Sequence, residues 1–252
     1  MSRTFLRRTL FAGALLPALA AVDMLPTAGQ PPKDAKTQSV QNLGRIGLAL
    51  HMYHHDYEQF PPPVIYGKDE KPLLSWRVLI LPYLGEADLY RQFRLHEPWD
   101  SEHNRKLLAK MPKVYAPVAG QVKEPHATYC QVFNGPGALF ESDPARWRRF
   151  PSLHPASFEC GPKVRLRQLD IPDGSSNTIM LVEAGPPVSW TKPDDLPFDP
   201  NKPLPKLNGP HADGFYAVLG DRSVRFIKKT VSEEILRCLI DRRDGKVVTI
   251  DL

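Results

Sequence analysis

The stretch Gln41–Pro63, QNLGRIGLALHMYHHDYEQFPPP, decides how the rest of the chain is read. With Val40 just ahead of it, Leu43, Ile46, Leu50, Tyr53 and Tyr57 recur at steps of three and four. That spacing gathers apolar side chains on one face of an α-helix. Phe60-Pro61-Pro62-Pro63 ends the helix, because proline has no amide to donate and pushes the preceding residue out of helical conformation. One amphipathic helix, expected from about Thr37, therefore opens the fold.

The chain changes character after it. LLSWRVLILPYL, 73–84, is apolar but too short for periodicity to separate a strand from a buried helix. A second helix is expected after Asp100 or Ser101, either of which can cap the free amides of a first turn. Leu107, Leu108 and Met111 supply its inward face and Pro112 its end. Strand signals follow in TYCQVF (128–133), KVRLRQL (163–169) and NTIMLVEA (177–184), the last introduced by Asp173-Gly174. GPHADGFYAVLGDRSVRFI, 209–227, reads as a hairpin. SEEILRCLI, 232–240, is a closing helix with Ser232 as cap and Glu233-Glu234 favourably placed in its first turn. A helix first and antiparallel strands after it define an α+β fold.

Residues 186–210 hold eight prolines and fit neither pattern. They are expected to form a long surface excursion pinned by Trp190 and Phe198, since proline cannot serve an interior strand.

Upstream, residues 1–21 have the form of a signal peptide. MSRTFLRR is a basic start, TLFAGALLPAL a short apolar run, and Ala18-Leu19-Ala20 a small-x-small cleavage site. Arg7-Arg8 also resembles part of a twin-arginine signal. The apolar run is about half the roughly 20 residues a membrane span requires, so no stable span is expected after cleavage. Residues 22–36 form a Pro-rich linker and 37–252 the domain. The chain of 252 residues carries a formal +5, which falls to +2 without Arg3, Arg7 and Arg8. A nucleic-acid partner, which calls for a clustered basic face, is not expected. Three cysteines have no metal-type spacing; in an oxidising compartment Cys130 and Cys160 either pair or remain free.

QNLGRIGLALHMYHHDYEQFPPP, LSWRVLILPYL, EPWDSEHNRKLLAKMPKVY, DGSSNTIMLVEA and HADGFYAVLGDRSVRF stand in the order of a large planctomycete family. The chain resembles that family, the domain of unknown function 1559, over roughly residues 38–248. Its prepilin-associated H-x9-DG signature falls on His211 and Asp221. The resemblance implies a pilin-like or pseudopilin-like fold, with a helix packed on an antiparallel sheet, and carries over no catalytic residue. Two features depart from it. An A-x-A signal replaces the prepilin peptidase site and long hydrophobic helix, which argues against assembly into a pilus-like fibre. The signature's glycine is Arg222 here.

His211 and Asp221 are ten positions apart, and an extended chain between them puts their backbones roughly 20–30 Å apart. They are therefore expected to serve loop and turn separately, not one metal ion. The turn at Gly220-Asp221 either does without a positive φ at Arg222 or is strained there. As a metal ligand, His211 would need partners such as Glu183 or Asp173. His51 and His55, four apart on one helix face, have a zinc-compatible spacing but no evident third ligand. DGSSNT, 173–178, offers oxygens to calcium but lacks the ligand spacing of an EF-hand. No G-x-S-x-G elbow and no Gly-rich phosphate loop is present.

The chain is thus expected to be an exported, non-catalytic, pilin-like structural or interaction domain of the periplasm, cell envelope or extracellular space. Its expected partner is an envelope or extracellular protein or glycan, and no cofactor is expected, with calcium the one candidate. The alternative is a binding module for a glycan, a small solute or calcium, to which Trp147 and Trp190 would contribute exposed aromatic surface. A secreted hydrolase is the third reading.

Overall fold

The computed structural model describes residues 34–119, 122–141, 171–246 and 248. Residues 1–21, expected to be a signal peptide, and KVRLRQL, Trp147 and Cys160 lie outside the described residues.

Helix α1, Ala35–Tyr57, starts two residues earlier than its apolar pattern suggests, because Asp34 caps it by accepting from the Thr37 amide at 2.8 Å. Leu43, Ile46, Ala49, Leu50 and Tyr53 are buried. Val40 is not: it is 39% exposed, at the rim of the buried stripe. The buried face instead continues through Ser39, Asn42 and Gly47. Gly47 is small of necessity, since a Cβ there would lie 2.9 Å from Val218 Cγ1. The helix therefore seats closely on the sheet.

The apolar run after α1 resolves into both conformations it left open. Strands β1 (Val64–Tyr66) and β2 (Pro72–Ser75) pair antiparallel, and α2 (Trp76–Leu79) follows at once with Ser75 as its cap. A 3-10 turn, Leu81–Leu84, leads to α3, Ala87–Tyr90. The second expected α-helix is instead a 3-10 helix, Asn104–Lys110. Ser101 Oγ accepts from the Asn104 amide, so the start signal was sound but the winding was not legible.

Four strands form the main sheet: β3 (Ala127–Gln131), β5 (Ile179–Ser189), β7 (Gly214–Leu219) and β8 (Val224–Lys228). Their order is β3-β5-β7-β8 and every pairing is antiparallel. Two short strands, β4 (Phe133–Asn134) and β6 (Leu196–Pro197), pair in parallel beside it. Helix α4, Glu233–Ile240, closes the described fold, with Ser232 Oγ accepting from Ile235 N. The fold is α+β.

Strand β5 runs through Pro186 and Pro187, where no interior strand was expected. The ladder to β3 breaks there: Cys130 pairs with Glu183 but Thr128 with Val188. The prolines sit inside this bulge, where no amide is required. The Gln131 side chain fills the gap by donating to the carbonyls of Ala184 and Pro186, both at 2.8 Å. Gly185, at φ 90°, completes the bend. Trp190 is fully buried, stacked on Tyr115 and edge-on to Phe93, so it offers no exposed binding surface. With Phe198 it pins the Pro-rich excursion as expected. Cys130 is a free, buried thiol, its pKa pushed up to about 12 by burial.

Candidate functional site

The Pro-rich excursion returns to the sheet beside Glu183. The Gly185 amide donates to the Asn208 carbonyl at 2.7 Å. A Cβ on Gly209 would lie 2.6 Å from the Glu183 carbonyl oxygen, so only glycine allows that approach. Two residues on, His211 bridges to Gly214 at the entrance to β7. The chain's path thus brings His211 onto Glu183 from the neighbouring strand, under the first turns of α1.

Three side chains from three elements meet there. Ser39 Oγ of α1 is 3.0 Å from His211 Nε2, and Glu183 Oε2 of β5 is 3.4 Å from the same nitrogen. Tyr216 and Phe226 pack edge-on against the imidazole. Ser39 is wholly buried, and the His211 and Glu183 side chains are 7% and 5% exposed. Burial opposes charge on both titrating groups. It pushes Glu183 up to about 7, Ser39's hydrogen bond pulling the other way, and lowers His211 with help from the nearby Lys36 charge. Both shifts favour a carboxyl that holds its proton beside a neutral imidazole. Glu183 Oε2 itself has no hydrogen-bond partner.

Serine, histidine and an acid suggest a hydrolytic relay, but the wiring differs. A relay needs hydroxyl and acid on opposite ring nitrogens, with the hydroxyl facing substrate. Here both converge on Nε2 and the hydroxyl has no exposure. What the arrangement does is fasten α1 to the sheet and to the returning loop.

The other residues singled out by sequence lie elsewhere. Asp221 caps the β7–β8 turn, accepting from Ser223 N at 2.8 Å and Ser223 Oγ at 2.7 Å. That turn lies beside His51 of α1, whose pKa falls to about 4 through burial and the Arg222 charge. Ser39 and His51 are twelve residues apart on α1, a rise of about 18 Å. His211 and Asp221 therefore occupy opposite ends of β7. Asp173 accepts from Gly245 N at 3.0 Å, and burial together with Asp244 raises its pKa. Within 173–178, the carbonyls of Asp173, Gly174 and Ser175 accept from Asn177 Nδ2, Thr178 Oγ1 and Asp221 N. Among the described residues no three His, Cys, Asp or Glu side chains gather as a metal cage.

One polar centre escaped the sequence reading. Arg77 and Asp195, both side chains wholly buried, pair at 2.7 Å. Arg77 also donates to Ser75 Oγ and the Cys130 carbonyl, and Asp195 accepts from Trp76 Nε1 and Val132 N. Burial lifts Asp195 to about 6 against the opposing pull of the Arg77 charge. The available signal was a lone arginine inside SWRVLIL, which cannot be buried without an acid to meet it.

The fold and the Ser39–His211–Glu183 cluster define an α+β domain whose first helix is tied to an antiparallel sheet by polar side chains. The model of a family described as protein of unknown function (DUF1559), SBP_bac_10, matches residues 30–202. The chain belongs to that family. The match spans α1 to β6 and ends ahead of His211. No curated protein and no solved structure matches the chain.

Proposed function

We propose that the chain is an exported, non-catalytic, pilin-like domain that acts by structure and interaction at the cell envelope. The observation that carries this reading is the sealed Ser39–His211–Glu183 cluster. That serine, histidine and acid are spent on holding α1, with no surface left for a substrate. Export is supported by the signal-like residues 1–21. Among the described residues no helix is long and apolar enough to cross a membrane, which fits a domain held outside the bilayer.

Two measurements test the proposal together. Fractionation of producing cells is expected to place the protein in the envelope or medium, with an N-terminus near Ala21. Purified protein is expected to hydrolyse ester, peptide and glycoside panels no faster than a Ser39→Ala variant. Retention of Met1 in the cytoplasm would overturn the first half, and turnover abolished by Ser39→Ala the second.

A further inference from the structure

The β1–β2 turn and the segment ahead of the long 3-10 helix face each other across an open cavity of about 840 Å³. Small-ligand sites span roughly 300–1,000 Å³ and combine apolar walls with a few convergent polar groups. This cavity has that make-up. Leu73 and Trp99 are among its apolar walls, and Lys68, His96 and Asp100 bring polar groups to it.

Both walls are preformed. Wholly buried Asn104 donates through Nδ2 to the carbonyls of Arg94, Glu97 and Pro98 at 3.0–3.1 Å, and its Oδ1 accepts from Arg94 N at 3.0 Å. The Trp99 amide donates to the Leu73 carbonyl at 2.7 Å, tying this wall to β2. The opposite wall is a tight turn closed by Gly67 N to Lys71 O at 2.9 Å, with Glu70 held at φ 62°. A non-glycine residue held left-handed marks backbone that its surroundings have fixed.

We infer that this cavity binds the pyranose ring of a neutral saccharide, stacked along Trp99. Lys71 is already paired with Asp69 at 2.9 Å, and the two charges cancel. Lys68 and Asp100 remain as one cation and one anion, so a charged ligand would meet as much repulsion as attraction. A pyranose presents an apolar C–H face to the indole and hydroxyls around its rim to a donor and an acceptor. Lys192 Nζ, 5.9 Å from the Trp99 ring centroid, is paired with Asp194 at 2.8 Å, so it adds no net charge beside the ring. None of these residues belongs to the Ser39–His211–Glu183 cluster, so binding here is independent of the proposed envelope role.

The test is titration of the purified chain with cellotetraose, mannotetraose, N-acetylchitotetraose and, as the charged comparison, tetragalacturonate. Calorimetry and tryptophan emission report binding. At least one neutral tetrasaccharide is expected to bind with Kd of about 0.1–5 mM. Trp99→Ala should weaken it by about tenfold or more, Trp99→Phe by less, and Asp100→Asn by about threefold. Asp100 is exposed, so Asp100→Asn should keep the wild-type melting midpoint and report on binding even where Trp99→Ala fails to fold. No neutral tetrasaccharide bound, preference for tetragalacturonate, or undiminished binding in both Trp99→Phe and Asp100→Asn would overturn the site.

Discussion

Arg222 stands at φ 73° in the β7–β8 turn, a conformation L-residues other than Asn and Asp seldom hold. Of the two turns its sequence allowed, the strained one is present. Arg222→Gly is therefore expected to stabilise the domain, by about 0.5–1 kcal/mol after glycine's greater unfolded-state entropy is set against the relieved strain. Denaturant unfolding checks the sign, and a loss of stability would show that Arg222 makes contacts worth more than its strain. Glu183 gives a pH-dependent counterpart. Its folded pKa, about 7, lies above the ordinary 4.5. The folded state thus binds the proton more tightly, a stabilisation fully present below about pH 4.5 and lost as pH rises through 7. The loss amounts to roughly 3 kcal/mol. His211 and His51, both lowered, act in the opposite sense below pH 6.5. The difference between wild type and Glu183→Gln isolates the carboxyl: relative to the variant, wild type should weaken between pH 5 and 8. A pH-independent difference would place Glu183's charge outside the buried cluster. Glu183 was named beside His211 only as a fellow metal ligand, with Asp173 as the alternative, because sequence shows which residues carry chemistry but not which of them meet. Ser39 was not, since nothing in its neighbourhood marks a serine that will face inward.

At the scale of elements, legibility follows how locally the deciding interaction is made. The α1 stripe could be read because helical periodicity acts within a few residues. Ile46→Ala and Leu50→Ala should each cost about 2–5 kcal/mol, for both side chains are wholly buried. Val40→Ala should stay within about 0.5 kcal/mol because its side chain is exposed. Chemical denaturation distinguishes them, and equal losses at positions 40 and 46 would mean that Val40 is covered. Val40 misled because the apolar pattern marks the helix side only to within a turn. The rotation is set by small and polar Ser39, Asn42 and Gly47, which hydropathy ignores. The strand through Pro186-Pro187 was illegible for a related reason. Its missing ladder bonds are replaced by the Gln131 side chain, fifty-three residues from the Ala184 carbonyl it holds. The segment Asn104–Lys110 was readable as helical from its cap and inward residues. Its 3-10 winding was not, since cap and inward residues are compatible with either helix.

Across the whole molecule, helix-then-strands was enough to give the α+β class, while the sheet order depends on connections too long for local signals. β3 and β5 are neighbours although some fifty residues separate their starts, and the Pro-rich excursion lies between β5 and β7. The Arg77–Asp195 pair joins α2 to that excursion for the same reason, and only the assembled fold brings its partners together. The contact of α1 with β7 has a mechanical meaning. Tension arriving through the chain ahead of Asp34 enters at the first turns of α1, next to the Ser39–His211 contact. Directed along the helix axis, such a pull shears α1 against the sheet and loads Ser39, Leu43, Ile46, Leu50 and Tyr53 at once. Directed across the axis, it peels the helix off one turn at a time, beginning at Ser39. The domain is thus stiff to a tether drawn along α1 and yielding to one drawn sideways.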